Sequence, residues 1–280
     1  MLVKGKGKRV SSFVPNTDIG QNFLKDRNIL RILAEEAQLA PEDLVLEIGP
    51  GMGVLTEELL AGPCREVIAI ELDRRLAPYL EPLAQRHPRL RLHWGDALRF
   101  PYGELPEGPN KVIANVPYYI TTPLLWTLLE CLSGRGLRTL LLMVQKEAAE
   151  RLVASPGTKA RTPLGITLEA MGHVALLRNI PPTAFFPRPS VDSSLVRIVL
   201  EKEYAWLPGD SLWRSLLRNA FAQRRKMLRT TLLGIAGKDR AHAEERLSSL
   251  AIAPTARAEE LETGQWLALH NDLKKRHLAM

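Results

Sequence analysis

The sequence predicts an α/β fold: a mostly parallel sheet covered by helices on both faces, with one antiparallel hairpin strand and a small helical domain after it. Three observations lead there. Short apolar runs alternate with helix-like segments through most of the chain. A glycine-rich turn, Gly49-Pro50-Gly51-Met52-Gly53, follows a strand-like run and opens a helix. After about Tyr204 the strand-like runs cease and only helical periodicity remains.

The elements follow in order. Residues 1–16 read as a basic flexible arm carrying Lys4, Lys6, Lys8 and Arg9. Asp26 to Gln38 predicts a helix, because Ile29, Leu30, Ile32 and Leu33 recur at helical spacing, and Pro41 ends that element. Leu44 to Ile48 is a short buried strand, and Val54 to Ala61 the helix after the glycine turn. Val67–Ile70, Leu90–Trp94, Lys111–Ala114 and Thr139–Val144 are further strands. Between and after them, Arg74–Gln85, Thr122–Leu132 and Gln145–Val153 are helical, with Pro123 near a helix start, where its missing N–H costs nothing. Ser155 to Pro163 is a polar loop. His173–Ile180 and Ser194–Leu200 are strands whose connection, Pro181 to Pro189, is too short for a crossover helix, so they pair antiparallel. Ser211–Leu233, Arg240–Leu250 and Ala258–His270 read as helices, with Trp206, Trp213 and Trp266 in their core. The expected organisation is an arm over 1–16, an α/β domain over 17–203 and a helical domain over 204–280.

Composition narrows the classes. Of 280 residues, 45% are hydrophobic and 25% charged, enough apolar material for a sizeable core. No apolar run reaches the roughly 18 residues of a transmembrane helix. The basic N-terminus lacks the apolar stretch of a secretory signal, so a cytoplasmic location is expected. Cys64 and Cys131 stand in no metal-binding spacing and read as reduced, buried thiols, with no metal. Lys and Arg outnumber Asp and Glu by 38 to 31, which fits a polyanionic partner. The excess is concentrated in the first nine residues and in Arg224-Arg225-Lys226, with Arg229 nearby. The arm is either a phosphate tether or a solubilising tail.

Three features mark a ligand site at the carboxyl ends of successive strands, where open α/β sheets bind ligands. Gly49, Gly51 and Gly53 allow a tight turn and close approach of a ligand to the backbone. Their spacing is G-x-G-x-G, and the glycine a dinucleotide fingerprint wants at position 54 is Val54, which disfavours a pyrophosphate cofactor and a nicotinamide oxidoreductase. Glu71, ending the second strand, suits both ribose hydroxyls of an adenosine. Asp96, in Gly95-Asp96-Ala97, suits an adenine amino hydrogen.

The most specific short signal is Asn115-Val116-Pro117-Tyr118. The lone pair of an adenine amino group is delocalised into its ring, so the nitrogen is a poor nucleophile. Acceptors aimed at its two hydrogens pull it toward a tetrahedral geometry. The Asn115 amide oxygen and the carbonyl of Val116 or Pro117 can supply them, Pro117 gives a rigid bend, and the Tyr118 ring offers a stacking platform for an extruded base. With a sulfonium leaving group, no strong base is required and catalysis reduces to positioning.

Gln21-Asn22-Phe23-Leu24, Glu47 to Gly53, Ile70-Glu71-Leu72-Asp73, Gly95-Asp96-Ala97, Asn115 to Tyr118, Val144-Gln145-Lys146-Glu147 and Phe186-Pro187-Arg188-Pro189-Ser190-Val191-Asp192-Ser193 together resemble the motifs of the KsgA/Erm family of rRNA adenine dimethyltransferases. The likeness runs from about Gly20 to Leu200 and into the helical region. Phe221 to Arg229 and Arg257-Ala258-Glu259-Glu260-Leu261 resemble the KsgA branch. The resemblance implies a Rossmann-like class I methyltransferase sheet, S-adenosylmethionine as cofactor, and dimethylation of two adjacent adenosines in the 3′-terminal hairpin of small-subunit rRNA during ribosome assembly. It implies that Gln21, Asn22, Leu24, Gly49, Gly51, Gly53, Glu71, Leu72, Asp96, Ala97 and Asn115 hold the cofactor. Phe186 would close on the target base opposite Tyr118, and Arg224, Arg225, Lys226 and Arg229, on one helix, would contact rRNA phosphates of the assembling small (pre-30S) subunit. A monomer is expected. Two departures stand out: Val116 replaces a leucine or isoleucine, and Tyr119 an asparagine.

The alternatives are an Erm-type enzyme acting on large-subunit rRNA, a DNA adenine methyltransferase, and an assembly factor acting mainly by binding. The segment from Gln223 to Lys226 speaks against the first, and the want of a separate target-recognition domain against the second.

Overall fold

The computed structural model describes residues 13–16, 20–233 and 239–277. Lys4, Lys6, Lys8 and Arg9 of the expected arm lie outside them.

A seven-stranded sheet forms the centre, in the order β4-β3-β2-β5-β6-β9-β7. Its strands are β2 (Leu44–Ile48), β3 (Glu66–Glu71), β4 (Leu90–Trp94), β5 (Lys111–Asn115), β6 (Thr139–Gln145), β7 (Gly172–Ile180) and β9 (Ser193–Leu200). The first five pair in parallel, and β9 pairs antiparallel with both β6 and β7. Strand β1 (Phe23–Leu24) and β8 (Phe185–Phe186) form a separate antiparallel pair.

Two-residue alternation along the strands builds two cores. Leu44, Leu46, Ile68, Ile70, Val112, Leu140 and Leu142 face one side, against helices α4 (Thr121–Leu132) and α6 (Pro163–Met171). Val45, Val67, Ala69, Ile113, Leu141 and Met143 face the other, where α1 (Arg27–Glu36) and α2 (Val54–Ala61) bring Leu30, Leu33, Leu55 and Leu59. The side chain of Asp26 caps α1 by accepting from the Asn28 N–H at 2.9 Å. Helix α3 (Ala77–Arg86) follows a 3₁₀ turn over Arg74–Leu76, and α5 is Lys146–Leu152.

The helix α6 corrects the sequence expectation, which assigns no element to 164–172. Thr162 caps it, its Oγ1 accepting from Gly165 N at 3.1 Å, and Pro163 starts it. Leu164, Gly165, Ile166, Thr167, Leu168 and Met171 are all buried and only Glu169 is exposed, so the helix is enclosed over most of its surface and carries little amphipathic period.

The region after Tyr204 is helical, and its segmentation differs from expectation. Ser211 to Leu233 is not one helix. Helix α7 (Ser211–Ala222) ends before a turn over 223–226, and a one-turn helix, Leu228–Thr231, follows. The last two helices are Arg240–Ser249 and Thr263–His277, and Ala258–Glu260 is a separate 3₁₀ turn. Trp213 and Trp266 are fully buried, and Trp213 Nε1 donates to Thr167 Oγ1 of α6 at 3.0 Å. Trp206 departs from the expected core position: it is 42% exposed, with the Lys274 ammonium 4.5 Å over its ring. One continuous apolar cluster joins a sheet face, α4, α6, α7 and these last helices.

Candidate active site

The strand order reverses between β2 and β5, since the chain leaves β2 toward β3 and β4 and crosses back to β5. Ligand crevices of open sheets form at such a point. A cavity of about 550 Å³ lies there, over the carboxyl ends of β2, β3, β4 and β5, within the range of small-molecule sites.

The glycine turn forms its floor. Gly49 presents nothing within 4 Å of where a Cβ would stand, so its backbone is open to a ligand. Gly51 has φ +62°, and an added Cβ would lie 2.9 Å from the Phe23 ring. Gly53 is placed differently: it is the N-cap of α2, sits under Leu80 and Leu83, and does not line the cavity.

Glu71 is 6% exposed. Its Oε2 accepts from Gly51 N at 3.1 Å and its Oε1 from Asp73 N at 2.8 Å. Burial pushes its pKa above the ordinary carboxylate value, and the two backbone donors counter part of that rise. Asp73 anchors the rim: it accepts from Arg75 and from Gln21 Nε2 at 2.8 Å, and the Arg75 side chain holds its carboxyl below the usual value. The expected cofactor residues Gln21, Asn22, Leu24, Leu72, Asp96 and Ala97 all line the same cavity. Asp96 keeps one oxygen on Leu98 N, at 2.9 Å, and its other oxygen lies 3.9 Å from the exposed Arg99 side chain.

Asn115 ends β5. Its Nδ2 donates to the Asn22 carbonyl at 2.8 Å. A carbonyl takes only a donor, so this bond fixes the amide and leaves Oδ1 as the free acceptor. Val116 N donates to Met143 O at 3.0 Å, and the Pro117 carbonyl accepts from Ile120 N at 3.1 Å. Of the two carbonyls that the sequence leaves open as second acceptor, that of Pro117 is taken by Ile120 N, and that of Val116 has no donor among the described residues. Tyr118 is half-buried, and its hydroxyl lies 2.7 Å from Oγ of the fully buried Ser193. Phe186, 55% exposed, reaches the same cavity because β8 pairs with β1, Phe186 opposite Phe23. Tyr119, the departure from the family pattern, lines the rim, packed on Gly20.

Comparison with known proteins meets this geometry. A family model described as ribosomal RNA adenine dimethylase matches residues 13–275. The chain belongs to that family. The ribosomal RNA small subunit methyltransferase A of Deinococcus radiodurans is 42% identical over 250 residues, 88% of this chain and 82% of that one. Its counterpart in Chromobacterium violaceum is 37% identical over 267 residues, 94% and 97%. Among solved structures, a dimethyladenosine transferase of Plasmodium falciparum superposes with a TM-score of 0.78 at 27% identity, over 91% of this chain and 98% of that one. The 23S rRNA methyltransferase ErmE does so with 0.68 at 26%, over 90% and 100%. The fold is thus the Rossmann-like class I methyltransferase sheet that the sequence resemblance implies.

Within this adenine dimethylase chain the four expected RNA-contacting residues are unequal. Arg224 is engaged internally: it donates to Lys159 O at 2.8 Å, pairs with Glu259 at 3.3 Å and lies over the Phe221 ring. Arg229 pairs with Glu244 at 2.9 Å. Arg225 and Lys226 are exposed and have no ion pair among the described residues. All but Arg229 stand in the turn after α7 rather than on a helix. No helix of the described residues is long and apolar enough to cross a membrane, and no group of three His, Cys, Asp or Glu there could hold a metal.

The sequence reading assigns no role to two residues of the site. Ser193 is the partner of Tyr118. Glu47 lines the cavity at 1% exposure; its signal was a charge inside the otherwise apolar run LVLEI.

The Tyr118–Ser193 contact gives a first test. Tyr118→Ala is expected to lower turnover about 10²-fold, from lost stacking and a base that wanders. Ser193→Ala is expected to lower it about 3- to 10-fold, the worth of one neutral hydrogen bond. Neither should change cofactor affinity more than about twofold, because the cofactor-holding role is expected of other residues of the cavity. Equal losses of turnover and affinity would remove Tyr118 as the base platform.

Proposed function

We propose that this chain transfers methyl groups from S-adenosylmethionine to N6 of two adjacent adenosines in the 3′-terminal hairpin of small-subunit rRNA, two to each, during ribosome assembly. The observation that carries the reading is the Asn115 amide, turned by the Asn22 carbonyl so that its oxygen is free at the cavity mouth beside the Val116 carbonyl and Tyr118.

The residues fit the cofactor. The cavity offers an open glycine backbone at Gly49, a buried carboxylate at Glu71 with lone pairs to spare for a ribose diol, and Asp96 one strand farther along for an adenine amine. When bound, S-adenosylmethionine supplies an electrophilic methyl on a sulfonium. Asn115 Oδ1 and the Val116 carbonyl accept the two amino hydrogens and turn the nitrogen lone pair out of conjugation. Tyr118 and Phe186 hold the two faces of the base, and the enclosing walls keep water away from the reacting atoms. The small-subunit target is favoured because relatives with that name reach 42% identity, against 26% for the 23S enzyme.

The test is transfer of labelled methyl to purified under-methylated small subunits, with large subunits and DNA as controls, followed by nucleoside analysis. N6,N6-dimethyladenosine in small-subunit rRNA alone is expected. Label in large-subunit rRNA would overturn the target assignment.

The exposed charges of the turn after α7 give a second prediction. Replacing both Arg225 and Lys226 by Ala is expected to weaken RNA binding and reduce the salt slope by about 1 for each lost phosphate contact. Arg224→Ala should instead lower the melting temperature, because its guanidinium ties the turn to Lys159 and Glu259. An unchanged salt slope in the double variant would place the RNA elsewhere.

A further inference from the structure

The loop after β5 carries two successive tyrosines that leave it in different directions. Tyr118–Ile120 forms a single 3₁₀ turn behind Pro117, closed by Ile120 N donating to the Pro117 carbonyl at 3.1 Å. Such a turn holds three residues, so neighbouring side chains point about 120° apart. Tyr118 is turned inward, half-buried, with its hydroxyl on the fully buried Ser193. Tyr119 is turned outward: it is 59% exposed, yet it lines the same cavity.

The Tyr119 ring has a fixed seat. A Cβ added at Gly20 would stand 3.2 Å from its Cδ1 and 3.3 Å from its Cε1, with Pro117 Cβ closing the same side at 3.4 Å. Gly20 has φ +66°, so a side chain there would be strained as well as crowded. The seat is tied to Asn115 by a short relay. The Gly20 carbonyl accepts from Asn22 Nδ2 at 3.3 Å, and the Asn22 carbonyl accepts from Asn115 Nδ2 at 2.8 Å. One side of the ring therefore rests on the segment that orients Asn115, and the rest is open at the cavity mouth. Packing alone does not call for an aromatic group here, since a leucine would meet Gly20 and Pro117 as well. Phe186, 55% exposed, and Leu72, 51% exposed, line the same cavity. Large exposed apolar side chains grouped around one mouth mark a surface that receives a partner.

We propose that Tyr119 stacks on the base next in sequence to the extruded adenosine and so holds the strand that enters the cavity. This rests on the rRNA adenine reading above and adds a contact outside the cavity to it. Extruding one base leaves the neighbouring base with a bare face. Tyr118 serves the base that has turned in. Tyr119, whose Cα stands about 3.8 Å away across one peptide, covers the face left outside. For one of the two target adenosines that neighbour is the other, a purine with a large π surface. The contact reads a flat face and needs no hydrogen-bond code, because every base has one.

Reconstituted under-methylated small subunits supply the test. Their rRNA is either intact or carries an abasic site 5′ or 3′ of one target adenosine, and methylation of that adenosine is counted. On intact subunits Tyr119→Ala is expected to raise the KM for the subunit about 5- to 10-fold, the low end of the worth of one base–aromatic stack. Its kcat and cofactor dissociation constant should stay within about twofold of wild type, since the ring touches no reacting atom. Tyr119→Leu keeps an apolar contact with Gly20 without a flat face. It is expected to match the alanine variant in KM and the wild type in melting temperature. Tyr119→Phe keeps the ring and should keep the wild-type KM. With the abasic site on the side that Tyr119 serves, the wild type should fall to the level of Tyr119→Leu, and the substitution should cost nothing further. A residue that merely shapes the loop would cost the same on every substrate. Equal losses on intact and both abasic subunits, or an unchanged KM in Tyr119→Leu, would overturn this inference alone. No methylation of small subunits by the wild type would overturn the functional reading with it.

Discussion

Asn115→Ala is expected to lower turnover by about 10²- to 10³-fold, the usual cost of removing one aimed polar group at a reacting centre. The reason lies in two bonds of one side chain. Nδ2 is committed to the Asn22 carbonyl at 2.8 Å, and in the proposed reading Oδ1 is left to accept from the incoming amine. Truncation removes the acceptor and also unties the Gly20–Leu24 segment from β5, so cofactor affinity should fall too, by less than about tenfold. Asn115→Asp separates the two roles. Its carboxylate keeps an acceptor for the amine but turns a second oxygen toward the Asn22 carbonyl, where a donor stood. It is expected to lose turnover nearly as fully as alanine and to raise the cofactor dissociation constant further. Single-turnover transfer and equilibrium dialysis with the cofactor measure the two quantities. A full-rate Asn115→Asp enzyme would mean that the amide orientation is irrelevant and that any acceptor at this position suffices.

What the sequence made legible follows from how each feature is encoded. The strands of the parallel sheet are short apolar runs bounded by glycine, acid or proline, so their ends, and with them Gly49, Glu71, Asp96 and Asn115, can be placed to within a residue or two. Helix α6 was not legible because, with Glu169 its one exposed residue, it has no polar face to set a period, and Gly165 in its first turn weakens any propensity reading. The helix expected through Gln223 broke there for a tertiary reason: Arg224 turns back to the 159–161 loop, and Leu228 N donates to Ala256 O at 2.8 Å, which starts a new helix. Trp206 was assigned to the core by its type alone, whereas its place beside Lys274 is set by the last helix, a contact of long sequence range. Ser193 was invisible as a site residue because its place depends on Tyr118, 75 residues away in sequence, whereas Glu47 left a signal, a charge inside an apolar run, that did not say what the charge does.

The second large effect belongs to Glu71. Each of its oxygens is held by one backbone N–H, Gly51 on one side and Asp73 on the other, and in the proposed reading each offers its remaining lone pair to one ribose hydroxyl. The carboxylate thus joins the glycine turn to the end of β3 and presents a bidentate acceptor at the same time. Glu71→Ala is expected to raise the cofactor dissociation constant about 10²-fold, since a hydrogen bond to a charged group contributes about 1.5–3 kcal/mol. It should also cost about 1–3 kcal/mol of stability for each backbone N–H left unsatisfied in this buried place. Glu71→Gln is no remedy: its amide can accept at one end only, and its NH₂ meets either the Gly51 or the Asp73 donor. Turnover at saturating cofactor should stay within about threefold of wild type, because Glu71 touches no atom that changes bonding in the reaction. The pattern is the converse of that at Asn115, with affinity lost and chemistry kept. Binding isotherms with the cofactor and a thermal melt of each variant check it together. If Glu71→Gln bound as tightly as wild type, the ribose would not lie at the end of β3. If both variants lost turnover at saturation with affinity intact, the orientation of the cofactor in the cavity would have to be reversed.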